Sequence, residues 1–215
     1  MKTNTKSGLH ITMIMNVIFL LAGLLMAHAV SAQTAAGKVV FAQGQPQAVN
    51  TQGVSRPLVR GNEIFSGDKL ITSTGRLQIS MVDGAFISVQ PNTEYQIETY
   101  NYSGTPDGTE IANYRLDKGG VRAITGLIGR QNPEAYKVNT AVATIGIRGT
   151  GHNTRICQGD CGNRPDGLYH NTWEGTTYVV NDVDSQDVPA GNGVYAQDIE
   201  SEIVFMDQPS AVVAV

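Results

Sequence analysis

The chain has 215 residues, with 15 lysines and arginines against 19 aspartates and glutamates and a formal net charge of −4. That balance argues against a nucleic-acid binder, whose electrostatic footprint is a basic patch. At this length a single domain can bury a core of its own.

The first predicted element is a targeting segment. Lys2 and Lys6 form a short basic region, and Ile11 to Ala27 is an apolar run broken only by Thr12, Asn16 and Gly23. Val30-Ser31-Ala32 then puts small residues where signal peptidase reads them, which predicts a signal peptide over 1–32 cleaved after Ala32. Ala27-His28-Ala29 is a second acceptable site. The rival is an uncleaved anchor, but the run is short for a span and no charges close it. Without Lys2 and Lys6, the mature chain Gln33–Val215 keeps 13 of the 15 basic residues against all 19 acidic ones, a charge of −6. No later segment is long and apolar enough for a membrane span, the Ala211–Val215 tail included. The expected localisation is therefore outside the cytoplasm, periplasmic or secreted.

The mature chain shows no sustained helical period. Short β-branched and aromatic runs alternate with Gly, Asp, Asn and Pro. They predict strands at Lys38–Ala42, Val54–Val59, Lys69–Ile71, Arg76–Val82, Ala85–Gln90, Glu94–Thr99, Glu110–Leu116, Val121–Thr125, Tyr136–Asn139, Ala143–Ile147, Thr154–Ile156, Leu168–Trp173, Thr176–Val180, Val194–Gln197 and Glu202–Phe205. Asn101–Thr109 and Gly126–Pro133 read as loops. The 24 glycines, about 11% against a usual ~7%, fit many tight turns. The expected fold is all-β, a β-roll, solenoid-like or sandwich domain over 33–200, followed by a C-terminal strand and tail over 201–215.

One hairpin can be registered in advance. A two-residue Asp83-Gly84 turn would pair Met81 with Phe86 and mix apolar with polar on each face. A three-residue loop, Val82-Asp83-Gly84, pairs Met81 with Ala85, Ile79 with Ile87 and Leu77 with Val89, and keeps one face apolar. Such loops end in a left-handed residue, so Gly84 is expected at positive φ.

Six motifs in order carry a family resemblance. Gly67-Asp68-Lys69-Leu70-Ile71-Thr72 resembles the GD-x-[LI]-x-T element of the FecR domain, and Asp83-Gly84-Ala85 with Ile87 resembles its DG hairpin. Pro91-Asn92-Thr93-Glu94, Gly119-Gly120-Val121-Arg122, and Ala143–Thr150 (ATIGIRGT) resemble the segments that follow. Trp173-Glu174-Gly175 with Ala190–Gly193 resembles the end of such domains. Two departures stand out: Gly151-His152 follows the RGT in place of an acidic or aromatic pair, and Thr140-Ala141 replaces Thr-Pro. The resemblance implies an exported, all-β, non-catalytic domain. The family takes its name from a regulator that relays an outer-membrane iron-siderophore signal to a sigma factor. Only about ten residues precede the apolar run, so the resemblance is to the extracytoplasmic part, without the cytoplasmic sigma-factor-regulating half. In the regulator this extracytoplasmic part meets protein partners.

The candidate site residues are weighed against plainer roles. Gly146–Gly151 matches neither G-x-G-x-x-G nor a P-loop and precedes no helical pattern, so it reads as a strand entering a glycine turn. Gly67, Asp68, Asp83, Gly84, Arg148, Gly149 and Thr150 are expected to be structural, with Arg148 clamping Asp68 or Asp83. Cys157 and Cys161 are expected to form a disulfide pinning a short loop in an oxidising compartment. The rival is zinc held by His152, Cys157, Cys161 and His170, whose C-x3-C is a loose match to zinc spacings. Tyr95, Tyr100, Tyr102, Tyr114 and Trp173 are candidates to line a sugar-binding face, with Trp173, Tyr100 and Tyr102 the candidate ligand contacts, although strand aromatics more often pack a core. A hydrolase built on carboxylates such as Asp68 and Glu98 is the third alternative. No catalytic residue, cofactor or metal is expected. The leading reading is a non-enzymatic binding or scaffold module of the bacterial cell envelope with a protein or glycan partner. The alternative is a component of transmembrane signalling of the FecR type.

Overall fold

The structure, a computed structural model, describes residues 34–105 and 107–207. The expected signal segment with its cleavage after Ala32, and the tail beyond residue 207, lie outside the described residues.

The regular structure of the described chain is mostly strands: β1 (Ala35–Ala42), β2 (Gln47–Val49), β3 (Ser55–Pro57), β4 (Glu63–Phe65), β5 (Lys69–Thr72), β6 (Leu77–Met81), β7 (Phe86–Val89), β8 (Thr93–Asn101), β9 (Ile111–Ile124), β10 (Tyr136–Asn139), β11 (Thr144–Cys157), β12 (Gly167–Val180), β13 (Ser185–Pro189), β14 (Gly193–Ala196) and β15 (Val204–Phe205). A short helix α1 (Leu127–Gln131) and a 3-10 turn (Pro133–Ala135) lie between β9 and β10. The expected loop at Gly126–Pro133 is therefore partly helical. Leu127 donates its N–H to the Asp83 carbonyl (2.9 Å) and Ile128 to the Asp83 carboxylate (3.2 Å), so a residue from a distant turn caps this helix.

The β6–β7 hairpin has the register expected from the three-residue loop. Leu77 faces Val89, Ile79 faces Ile87, and Met81 N–H donates to the Ala85 carbonyl. Gly84 sits at φ 84°, and Leu77, Ile79, Met81, Ala85, Ile87 and Val89 are all buried.

Three expected pairs of strands are single strands. β9 runs through Gly119-Gly120, β11 through Arg148–Gly151, and β12 through Glu174-Gly175. The glycines read as breaks are irregularities inside long strands. The β11–β12 register shifts between Arg148 and His152, where Gly149 has φ 70° and Gly175 has φ 71°. A bulge adds a residue and bends the strand without ending its ladder. The glycine turn expected after Ala143–Ile147 is thus a bulge within β11. Val54–Val59 contracts to Ser55–Pro57, and β2, β4 and β13 are strands where none was expected.

All strands join one sheet, with main path β15-β14-β12-β11-β10-β9-β7-β6-β1-β4 and a further β11–β9 pairing. Strand β8 joins β9 to β5, which leads to β2 and β3, and β13 borders β12. Among the described strands only β9 and β10 run parallel. Each long strand changes partners along its length. The first half of β9 pairs with β8 and β10, the second with β7 and β11. The sheet therefore curls back around one buried cluster, fed by residues from Ala36 to Ile203.

Candidate functional site

The motif residues form the frame. Asp68 is buried and receives both Arg56 guanidinium nitrogens (2.8 and 2.5 Å) and the Phe65 N–H (2.8 Å). A bidentate guanidinium–carboxylate pair with a backbone donor fixes the turn before β5. Asp83 is equally buried. It accepts the Ala85 N–H (3.1 Å), caps α1, and donates its own N–H to the Tyr100 hydroxyl (3.1 Å). Arg148 clamps neither of them. It lies exposed and pairs with Asp187 of the adjoining β13 at 3.2 Å. The bulge beside it turns the guanidinium outward, and Arg56, earlier in the chain, fills the role expected of Arg148. Thr150 is buried and its carbonyl accepts both the N–H (2.9 Å) and the hydroxyl (2.8 Å) of Thr125.

The interior holds a ladder of rings. Tyr95 (β8), Tyr114 (β9), Tyr136 (β10), His152 (β11) and His170 (β12) follow one another with centroids 5.5, 5.5, 6.0 and 5.4 Å apart, and all are buried. A chain of hydrogen bonds runs along its far half. The Tyr136 hydroxyl meets His152 Nε2 at 3.0 Å, and Thr154 Oγ1 stands between His152 Nδ1 (3.3 Å) and His170 Nδ1 (2.9 Å). His170 Nε2 meets Thr177 Oγ1, and Thr177 meets Thr172, each at 2.7 Å.

A hydroxyl has one proton, so Thr154 donates to one ring and accepts from the other. The whole chain must therefore point one way, and the tautomers of the two neutral imidazoles are linked: one carries its proton on Nδ1 and the other on Nε2. A second positive imidazole would leave Thr154 facing two N–H donors. Burial lowers His152 to a pKa of about 4. Burial, and then repulsion from His152, hold His170 well below its ordinary value.

The opposite face of the same strands carries a polar row. Ser88, Arg122, Asn153 and Asn171 are register partners across β7, β9, β11 and β12. Asn153 donates to Asn171 at 2.9 Å, and Arg122 reaches Asn153 at 3.4 Å. The Arg122 guanidinium lies 4.3 Å from the Trp173 ring centroid, a cation–π stack. The indole lies over Gly151, where any Cβ would overlap it. This gives a physical reason for glycine immediately after the RGT. Of the expected aromatic contacts, only Trp173 is on this face. Tyr100 is buried with its hydroxyl on Asp83, and Tyr102 is packed partly against the core. Tyr95 and Tyr114, also expected there, are buried in the ring ladder, so the five aromatics do not form one surface.

Cys157 and Cys161 are joined, with Cα atoms 5.6 Å apart. The disulfide removes both thiolates from the zinc alternative, and the two histidines of that set are committed to the internal chain. Arg155 braces the loop, donating to Cys161 Sγ (3.1 Å) and pairing with Asp160 (3.3 Å), which Asn92 also contacts (3.1 Å). The carboxylates considered for hydrolysis are engaged as well: Asp68 with Arg56, and Glu98 with Arg115 and Asn139.

The family model described as FecR protein matches residues 68–163, which include the Asp68, Asp83, Arg122 and Arg148 motifs. No curated protein matches the chain. Two crystal structures from Parabacteroides distasonis ATCC 8503, each described as a "putative anti-sigma factor", are similar at 15% identity and a TM-score of 0.49. The match covers 65% of this chain and 59% of theirs, so this chain spans about three-fifths of their length.

Proposed function

We propose that this chain, which matches the FecR family model over residues 68–163, is a FecR-type regulatory module on the envelope side of a transmembrane signalling system, acting by binding a protein partner. The family match is the observation that carries this reading. It favours signalling over a free-standing scaffold, and a regulatory role over a hydrolytic one. The predicted signal peptide supports an extracytoplasmic location, and among the described residues no helix is long and apolar enough to cross a membrane.

The geometry fits such a role. Within the matched segment the motif carboxylates brace turns and cap α1, which leaves a stiff sheet to present its surfaces. A relay needs a surface whose shape does not depend on the partner, and close-packed cores with satisfied buried acids supply one. The test is transcriptional. Deleting the gene in the producing bacterium shifts a small, discrete set of transcripts, and re-expression restores it. An unchanged transcriptome under envelope stress and under iron limitation would overturn the reading.

A further inference from the structure

The C-terminal end of the sheet differs in charge from the rest of the chain. From residue 165 onward there are nine Asp and Glu residues and no Lys or Arg, whereas residues 33–164 hold 13 Lys and Arg against ten Asp and Glu. The fold gathers much of this acidic stretch at the last edge of the sheet. The turn between β12 and β13 packs against the segment leading into β15. Asp182 N–H donates to the Ile199 carbonyl (3.2 Å), the Asn181 amide donates to the Ser201 carbonyl (2.7 Å), and Ile203 N–H donates to Asp184 (3.0 Å).

Between these segments opens a hollow of about 600 Å³ lined by Val183, Asp184, Gln186, Glu200, Glu202 and Ile203. Large apolar side chains stand exposed on the same two segments: Val183, which lines the hollow, at 58%, with Val204 at 47% and Ile199 at 41%. Beyond Val204 the sheet has no further strand among the described residues, because β15 pairs only with β14. Met206 N–H bonds to Gly193, so by strand alternation the Phe205 backbone points away from β14. Phe205 is itself 51% exposed.

The charges are of two kinds. Asp184, Asp187 and Asp198 are occupied by backbone donors or by Arg148. Asp182, Glu200 and Glu202 are exposed and make no ion pair among the described residues. Exposed apolar groups rimmed by unneutralised carboxylates at an open sheet edge suit a partner with the opposite pattern. A second copy of this chain is a poor occupant, since it would bring the same acids face to face.

We propose that this edge docks an extended, basic segment of a partner protein, with lysine or arginine side chains alternating with apolar ones. The apolar side chains settle on Val183, Ile199 and Val204. The basic ones meet Glu200, Glu202 and Asp182. This inference goes beyond the regulatory reading, because it names a surface and a chemistry and is tested without a signalling assay.

The test uses the purified protein and two capped hexapeptides, one alternating lysine with valine and one alternating glutamate with valine. The lysine peptide binds, its affinity weakens as salt rises, and its NMR shift changes concentrate on residues 181–205. Glu200→Lys with Glu202→Lys weakens it at least about tenfold. Glu63→Lys with Glu134→Lys makes the same change in net charge elsewhere and leaves the affinity within about twofold. Val183→Ser with Ile199→Ser also weakens binding. Three results would each overturn the proposal: no binding of the lysine peptide, equal binding of the glutamate peptide, or equal loss in the two charge-reversed proteins.

Discussion

Glycine pairs and buried tyrosines show how much depends on single side chains. In Gly119-Gly120 the two glycines are not equivalent. Gly119 has φ 76°, and a Cβ there would meet the Asn92 carbonyl and lie 2.7 Å from Thr93 Cα, all part of the neighbouring strand's backbone region. A Cβ on Gly120 would come no closer than 3.3 Å to the Thr154 carbonyl. Gly119→Ala should cost about 2 kcal/mol or more, and Gly120→Ala clearly less. Urea unfolding of both variants checks the order. The ring ladder offers a second contrast. The hydroxyls of Tyr95 and Tyr114 are buried without a hydrogen-bond partner among the described residues, whereas that of Tyr136 meets His152. Tyr95→Phe should be neutral or stabilising, because it removes an unpaired polar group. Tyr136→Phe should cost about 1–3 kcal/mol, because it leaves a buried imidazole nitrogen unpaired. The melting temperature of Tyr136→Phe should fall, while that of Tyr95→Phe should hold or rise.

At the scale of elements, legibility followed local pattern. The β6–β7 hairpin was readable because its register depends on one alternation and one glycine within a single short stretch. The long strands were not, because a bulge and a turn have the same glycine-rich signature. Only the partner strand decides between them, and the partners of β11 are far apart in sequence. The ring ladder was hidden for the same reason. His152 and His170 stood out as metal candidates by spacing, yet His152 faces Ala123 and Thr172 in register and His170 faces Thr154 and Val194, and Tyr136 reaches His152 only across the folded interior. The Arg148 clamp failed because a bulge displaces the side chain, and Arg56 lay in a weak strand with no motif to mark it. The disulfide loop was legible from compartment and spacing. Its closure spans only Cys157 to Cys161, so Cys157→Ser with Cys161→Ser should cost roughly 2 kcal/mol. Local hydrogen exchange should rise around Arg155–Asp166, with the ladder strands still protected. Global unfolding of that variant at room temperature would show that the loop carries more of the fold than this.

The whole molecule should be acid-sensitive with a definite sign. The histidines' ordinary pKa is 6.5, and His152 falls to about 4 when folded, with His170 also well below its ordinary value. The unfolded chain therefore binds protons that the folded one refuses. The stability from these groups is complete above pH about 6.5 and is lost as pH falls toward about 4, by up to about 3 kcal/mol for His152. The carboxylates held low in the fold, Asp160 and Asp184 among them, titrate below this window. Chemical unfolding at pH 7, 5.5 and 4.5 should show the loss, and His152→Gln should flatten it. A profile level between pH 7 and 4.5 would contradict the closed, carboxylate-free setting of the His152–His170 pair. The charge division along the chain acts at the same scale. It leaves one sheet edge acidic and open while the matched domain, residues 68–163, holds the braced motifs.

The measurement that tests the regulatory account most directly is photo-cross-linking in living cells, with a benzophenone side chain placed singly at exposed Val183, Leu127 or Val82. The account predicts that one defined membrane or envelope protein is captured saturably, and that deleting this protein's gene reproduces the transcript shift caused by deleting the chain itself. Capture of no protein from any position, together with sedimentation of the purified chain on peptidoglycan, would contradict it and point to a glycan-bound module instead.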